Sequence, residues 1–239
     1  MSISIVIPYK SCKSNIELIY ALRSLEKNLK GFDEVFIISE NKVPIKGLNY
    51  INIKDDKSSK FKERNIYRKI LAACNDERVS KTFFFTNDDI FLNQEFDIES
   101  IPFYHKGELY ETMSKQMSDY RKSLNHSRKY LMRKGLPTLD YDTHFPILYD
   151  KEDFVTFVCN KDLNWAQPYS YVIKSLYCNS KGVKGEYIGD CKIKEKLNYE
   201  QLKQKIANKP FFSTADGVIN DDMIRLLNEL YPKKSIYEK

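Results

Sequence analysis

The chemistry-bearing residues of this chain concentrate where Phe83-Phe84-Phe85-Thr86 runs into Asn87-Asp88-Asp89, with apolar Ile90-Phe91-Leu92 resuming at once. A wholly apolar run thus delivers two adjacent carboxylates and an amide to one point. Neighbouring carboxylates repel, and the repulsion raises their pKa unless a cation relieves it. Oxygen ligands of this kind suit Mg²⁺ or Mn²⁺. Asp89, with Asp88 or Asn87, is the expected metal-binding set. A cation held there would bridge the phosphates of a nucleotide-sugar and stabilise the departing diphosphate. The competing reading is a turn in which Asn87 and Asp88 bond only to nearby backbone.

Such a cluster needs a strand to deliver it, and the first ninety residues alternate strand and helix signals. Ile3, Ile5, Val6 and Ile7 form a short buried strand ended by Pro8. Ser14-x-x-Glu17 reads as a capping box, followed by Leu18, Leu22, Leu25 and Leu29 at helical spacing and a stop at Gly31. Val35–Ile38 and Tyr50–Ile53 read as further strands. Ser59 caps a helix whose inner face carries Ile66, Ile70 and Ala73, and Lys81–Thr86 is the buried strand that ends in the acidic pair. Strands separated by helices predict an α/β fold, a mainly parallel Rossmann-like sheet with helices on both faces. Ligands of such sheets bind beyond the carboxyl ends of the strands. That singles out Pro8, Tyr9 and Lys10 after the first strand, with Tyr9 able to stack on a base. Arg64 and Arg68, on the helix before the aromatic strand, are placed to meet a nucleotide or to line a solvated face.

Residues 107–137 break the pattern and read as a basic helical insertion or lid within a single domain spanning 1–239. Leu109, Met113, Met117, Tyr120, Leu124 and Leu131 make its apolar stripe, and Lys115, Arg121, Lys122, Arg128, Lys129, Arg133 and Lys134 its basic surface. That surface would suit a polyanion, DNA or an acidic glycan, or would simply be solvated. Beyond it, Asp150, Asn198 and Asn220 are expected to cap short helices, and Glu186–Lys194 to form a strand.

The composition bounds the rest. The chain has 239 residues, a formal net charge of +6 and five cysteines, Cys12, Cys74, Cys159, Cys178 and Cys191, with no C-x-x-C pair. An odd, widely spaced set excludes a disulfide framework and a cysteine zinc site, and points to free thiols in a reducing cytoplasm. No apolar run approaches the roughly 20 residues of a membrane span, and Met1–Pro8 reads as a strand and not as a signal peptide.

In their order, these segments resemble the GT-A glycosyltransferase superfamily. They are most similar to the Stealth family, which includes capsular-polysaccharide and N-acetylglucosamine-1-phosphate transferases. The resemblance rests on Ser4–Lys10, Asn15–Asn28, Phe36–Ser39, Phe84–Phe91, the His-x-Pro element His144-Phe145-Pro146, and the closing stretches Phe211–Gly217 and Leu230–Glu238. Ile7-Pro8-Tyr9-Lys10 stands where that family carries a Trp-Val-Asp-Gly motif. The resemblance implies a GT-A-type fold and a transferase that moves a sugar, or a sugar phosphate, from a UDP-sugar or similar donor to a hydroxyl. The acceptor is expected to be a glycan, with a hydroxylated DNA base as the alternative. A non-catalytic nucleotide- or glycan-binding relative is the rival from another class. The resemblance also implies that His144 and Asp88 are catalytic, His144 as general base or ligand, and that Asp216 lies near the metal or diphosphate.

Overall fold

The computed structural model describes residues 3–10, 14–43, 45–111 and 117–238. Cys12, Met113 and Lys115, which entered the readings above, lie outside the described residues, as does the side chain of Ser59. The central sheet contains β1 (Ser4–Pro8), β3 (Val35–Ser39), β4 (Asn49–Asn52), β5 (Thr82–Phe85) and β9 (Ile147–Asp150), in the order β4-β3-β1-β5-β9. The first four are parallel, and β9 closes the edge antiparallel to β5, with Phe83 opposite Tyr149. The fold is therefore mixed α/β with a mainly parallel sheet, as the alternation of signals predicts. The antiparallel strand β9 was not legible in the sequence.

Period-2 alternation divides the strand residues between two cores. Val6, Phe36, Ile38, Phe83 and Phe85 face one side. There they meet α2 (Lys62–Asn75), α4 (Lys151–Val158) and α5 (Ile173–Ser180), with α3 (Asp119–Arg133) packed on α5. Ile5, Ile7, Ile37 and Phe84 face the other side, against Leu18, Leu22 and Leu25 of α1 (Ile16–Asn28). Helices thus cover both faces. Full burial of a large apolar side chain stabilises by about 2 kcal/mol, so the aromatic strand β5, buried through Phe83, Phe84 and Phe85, is anchored firmly where it releases the acidic pair.

A second sheet abuts the end of β5. Its strands are β6 (Ile90–Leu92), β12 (Phe211–Thr214) and β11 (Lys192–Ile193), with β12 antiparallel to β6 and parallel to β11. The third core lies between this sheet, α6 (Tyr199–Ile206) and α7 (Asp221–Leu230). Two ribbons complete the strands: β2 (Leu29–Lys30) with β7 (Phe96–Asp97), and β8 (Tyr104–His105) with β10 (Glu186–Tyr187).

The local signals met different fates. Asp150, Asn198 and Asn220 cap their helices through side-chain oxygens, and Asn198 forms a full capping box with Gln201. The Ser14–Glu17 box does not form: the N-cap of α1 is Asn15, and Glu17 is drawn away to accept a bond from Thr214. The basic helix begins only at Asp119, capped by Ser118, while Glu108 bridges Leu139 upstream. Glu186–Lys194 is two short strands, β10 and β11. Cys74, Cys159, Cys178 and Cys191 are free thiols. Among the described residues no helix is long and apolar enough to cross a membrane.

Candidate active site at the end of the aromatic strand

Asp88 and Asp89 occupy the turn between β5 and β6, where the two sheets meet. The turn is fixed on both sides: Thr86 N–H donates to the Val6 carbonyl (3.0 Å), and Thr214 N–H donates to the Asp89 carbonyl (3.2 Å). Burial, the Asp89 charge and Glu17 together push the Asp88 carboxyl up to about 7. Asp89 Oδ1 is a buried oxygen with no hydrogen-bond partner among the described residues. Asp88 accepts a bond from its own backbone N–H, as a turn would have it, whereas Asp89 Oδ1 is left over.

His144 comes to this point from the loop before β9. Its Nδ1 lies 4.0 Å from Asp89 Oδ2 and is itself buried, with no hydrogen-bond partner among the described residues. The residue sits at φ 56°, in the left-handed region. A non-glycine residue there is under strain of about 1–3 kcal/mol, of the kind that clusters at functional sites. The loop that holds it is braced from below, since the buried Lys174 of α5 donates to the Phe145 carbonyl (2.9 Å) and Phe145 N–H donates to Thr143 Oγ1 (3.3 Å). Burial lowers the His144 pKa from its ordinary value, against the opposing pull of Asp142. A neutral imidazole able to accept a proton is the result.

Several site residues carried no functional signal of their own in the sequence. Lys192 of β11 places its ammonium 3.7 Å from Asp89 Oδ2. Glu17 of α1 accepts from Thr214 Oγ1 (2.6 Å), and burial, Asp89 and Asp216 raise its pKa in spite of that bond. Behind His144 lies a second pair of carboxyls. Burial works against the Asp142 charge, yet His144, Lys106, Lys174 and the Tyr120 hydroxyl (2.6 Å) hold its pKa down to about 2. Glu63 of α2 is pushed the other way, up to about 8, by burial and by the Asp142 charge. Two carboxyls driven apart in this manner are one charged and one neutral near pH 7, a division of labour typical of acid–base sites. The alternation Asp140-x-Asp142-x-His144 was the one trace of this group in the sequence.

The remaining predicted residues are placed as follows. Pro8 is buried at the end of β1, and Lys10 is exposed just beyond it. Tyr9 is 1% exposed and its hydroxyl donates to Asn15 (2.6 Å), which corrects the expectation of a ring offered for base stacking. Its carbonyl instead receives Lys69, which also pairs with Asp55 (2.8 Å). Arg64 lies over the Phe61 ring (4.8 Å) and 3.9 Å from Asp56, and Arg68 is half-buried on the same helix. Asp216 is exposed in a turn with Gly217 at φ 77°, close enough to Glu17 to raise its pKa. Asn87 is half-buried beside the acidic pair.

No protein-family model matches the sequence, and no curated protein matches it either. Among solved structures the chain is similar to one described as a glycosyltransferase involved in the glycosylation of the major capsid of PBCV-1. The identity is 11%, the TM-score 0.45, and the match covers 96% of this chain and 100% of that one.

The basic face of α3 is partly engaged within the protein. Lys122 lies near Asp119 and over the Tyr169 ring, Arg128 and Lys129 approach Glu111, Arg133 covers the Tyr130 ring, and Lys134 pairs with Asp162. Three carboxylates thus stand beside six described cations of this face, and ring contacts remove no charge, so the face keeps a net positive charge.

Proposed function

We propose that this chain is a metal-dependent glycosyltransferase of the GT-A type that moves a sugar from a nucleotide-sugar, a UDP-sugar in the first instance, to a hydroxyl of a glycan. The observation that carries the reading is the meeting of Asp89 and His144 at a parallel-strand end, each with a buried polar atom left without a partner.

Among the described residues no group of three or more His, Cys, Asp and Glu side chains stands ready to hold a metal ion. A Mg²⁺ or Mn²⁺ ion that takes most of its oxygens from a diphosphate and water needs only one or two carboxylates from the protein. The orphaned Asp89 Oδ1 fits that requirement. Asp89, with Asp88 or Asn87, would hold the ion, which when bound supplies positive charge to the leaving diphosphate.

The chain's own residues do the rest. His144, neutral through burial, accepts the acceptor hydroxyl's proton as its oxygen attacks the anomeric carbon. Asp142, charged and close by, stabilises the imidazolium that forms. Lys10, Arg64, Arg68 and Asp216 frame the donor at the rim. The test is hydrolysis and transfer with a panel of nucleotide-sugars and Mn²⁺. Asp89→Ala is expected to lower kcat by about 100-fold or more; activity untouched by that substitution overturns the assignment. Metal-dependent nucleotide binding without transfer to any acceptor would select the non-catalytic relative.

A further inference from the structure

We infer that Lys192 is the residue of this chain that binds the donor's diphosphate, an inference that rests on the nucleotide-sugar reading above. Among the described residues three buried or half-buried lysines stand near the strand end, and two are committed. Lys69 is 4% exposed and donates to Asp55 Oδ2 and the Tyr9 carbonyl. Lys174 is 7% exposed and donates to the Phe145 carbonyl. Lys192 differs from both. Its Nζ stands 3.7 Å from Asp89 Oδ2, an ionic attraction too long for a hydrogen bond. It makes no side-chain hydrogen bond among the described residues.

Its position is fixed by the second sheet. Lys192 is in register with Ser213 of β12, and the next residue of β12, Thr214, binds the Asp89 carbonyl. The same short span of backbone therefore sets both Asp89 and Lys192. The lysine also lines a surface hollow of about 170 Å³, shared with Lys194, Lys205, Asp190 and Glu195. Lys194 already pairs with Asp190, whereas Lys192 has Asp89 as its one ionic neighbour among the described residues.

An ammonium is a compact charge with three donors, suited to phosphate oxygens. As the bond between the anomeric carbon and the phosphate oxygen breaks, its electron pair stays on that oxygen and the diphosphate gains negative charge. Lys192 meets that charge while the acceptor's proton goes to His144. Lys192 itself neither gains nor loses a proton. Fixed donors aimed at developing charge lower the barrier without reorganisation. Before the donor arrives, the same ammonium relieves repulsion between Asp89 and Glu17.

The experiment is calorimetric titration with UDP and with uridine, beside steady-state kinetics, on the wild-type chain, Lys192→Ala and Lys192→Arg. Lys192→Ala should weaken UDP binding by about tenfold or more and lower kcat, while uridine binding holds. Lys192→Arg should recover most of the UDP affinity. Equal loss of UDP and uridine in Lys192→Ala would make the lysine a structural prop and overturn the inference. Unchanged UDP affinity and kcat would overturn it too, leaving the nucleotide-sugar reading intact. A wild-type chain that binds neither UDP nor any other nucleoside diphosphate removes that reading, and the role of Lys192 with it.

Discussion

Glu63 offers a test of the site's electrostatics that needs no substrate. Its carboxyl is pushed up from 4.5 to about 8, by burial first and by the Asp142 charge second. Between those values the folded chain keeps a proton that the unfolded chain has released. Stability then falls as pH rises from about 4.5, and levels off above about 8. The full shift corresponds to about 5 kcal/mol between the two protonation states. Of this, about 3 kcal/mol falls between about pH 5 and about pH 8. Glu63→Gln keeps the shape of the neutral acid and cannot ionise. Urea unfolding of both proteins from about pH 5 to about pH 8 should show the variant gaining about 3 kcal/mol on the wild type across that range. Asp88, raised to about 7, acts in the same direction in both proteins and drops out of the difference. Asp142→Asn should remove part of the pH slope of the Glu63 chain, because it removes the repelling charge. Parallel stability curves for wild type and Glu63→Gln would refute the reasoning, since they would mean a solvated Glu63 that ionises as it does in the unfolded state.

His144→Gln should reduce kcat by about 100-fold in a transfer assay with saturating donor. The acid limb of the wild-type rate profile should fall below 6.5, the ordinary histidine value, and should vanish in the variant; an acid limb that persists unchanged would remove His144 from proton transfer. The C-terminal clamp is independent of the chemistry. Arg23 donates to both carboxylate oxygens of Glu238 (2.8 and 2.6 Å) and reaches the Tyr231 carbonyl, with both side chains nearly buried. Arg23→Ala strands that carboxylate and should cost about 3 kcal/mol in urea unfolding, where a loss below about 1 kcal/mol would mean a solvated pair.

The fold was legible where a local rule and a tertiary demand coincide. Phe83-Phe84-Phe85 is apolar throughout, and such a run after a helix reads as a strand inside the sheet, which β5 is, parallel to β1 and antiparallel to β9. The place where its carboxylates emerge follows from that alone. The site is less legible because its charges come singly from distant segments. Thr214 takes Glu17 from its helix cap across 197 positions of sequence, so a reliable local motif fails where the site needs the carboxylate. Strand β9 was missed because Ile147–Asp150 follows a proline and gives only four residues, and its pairing with β5 is what carries His144 to Asp89. The basic face of α3 was legible as charge, but its partners Glu111 and Asp162 lie outside the helix, so the sequence could not show that charge to be partly offset. Lys192 and Glu63 had no pattern to betray them. Each is an isolated charged residue whose meaning arises only when β11 and α2 bring it against Asp89 and Asp142, which is why the acid–base character of the site belongs to the packing of the two sheets and not to any motif.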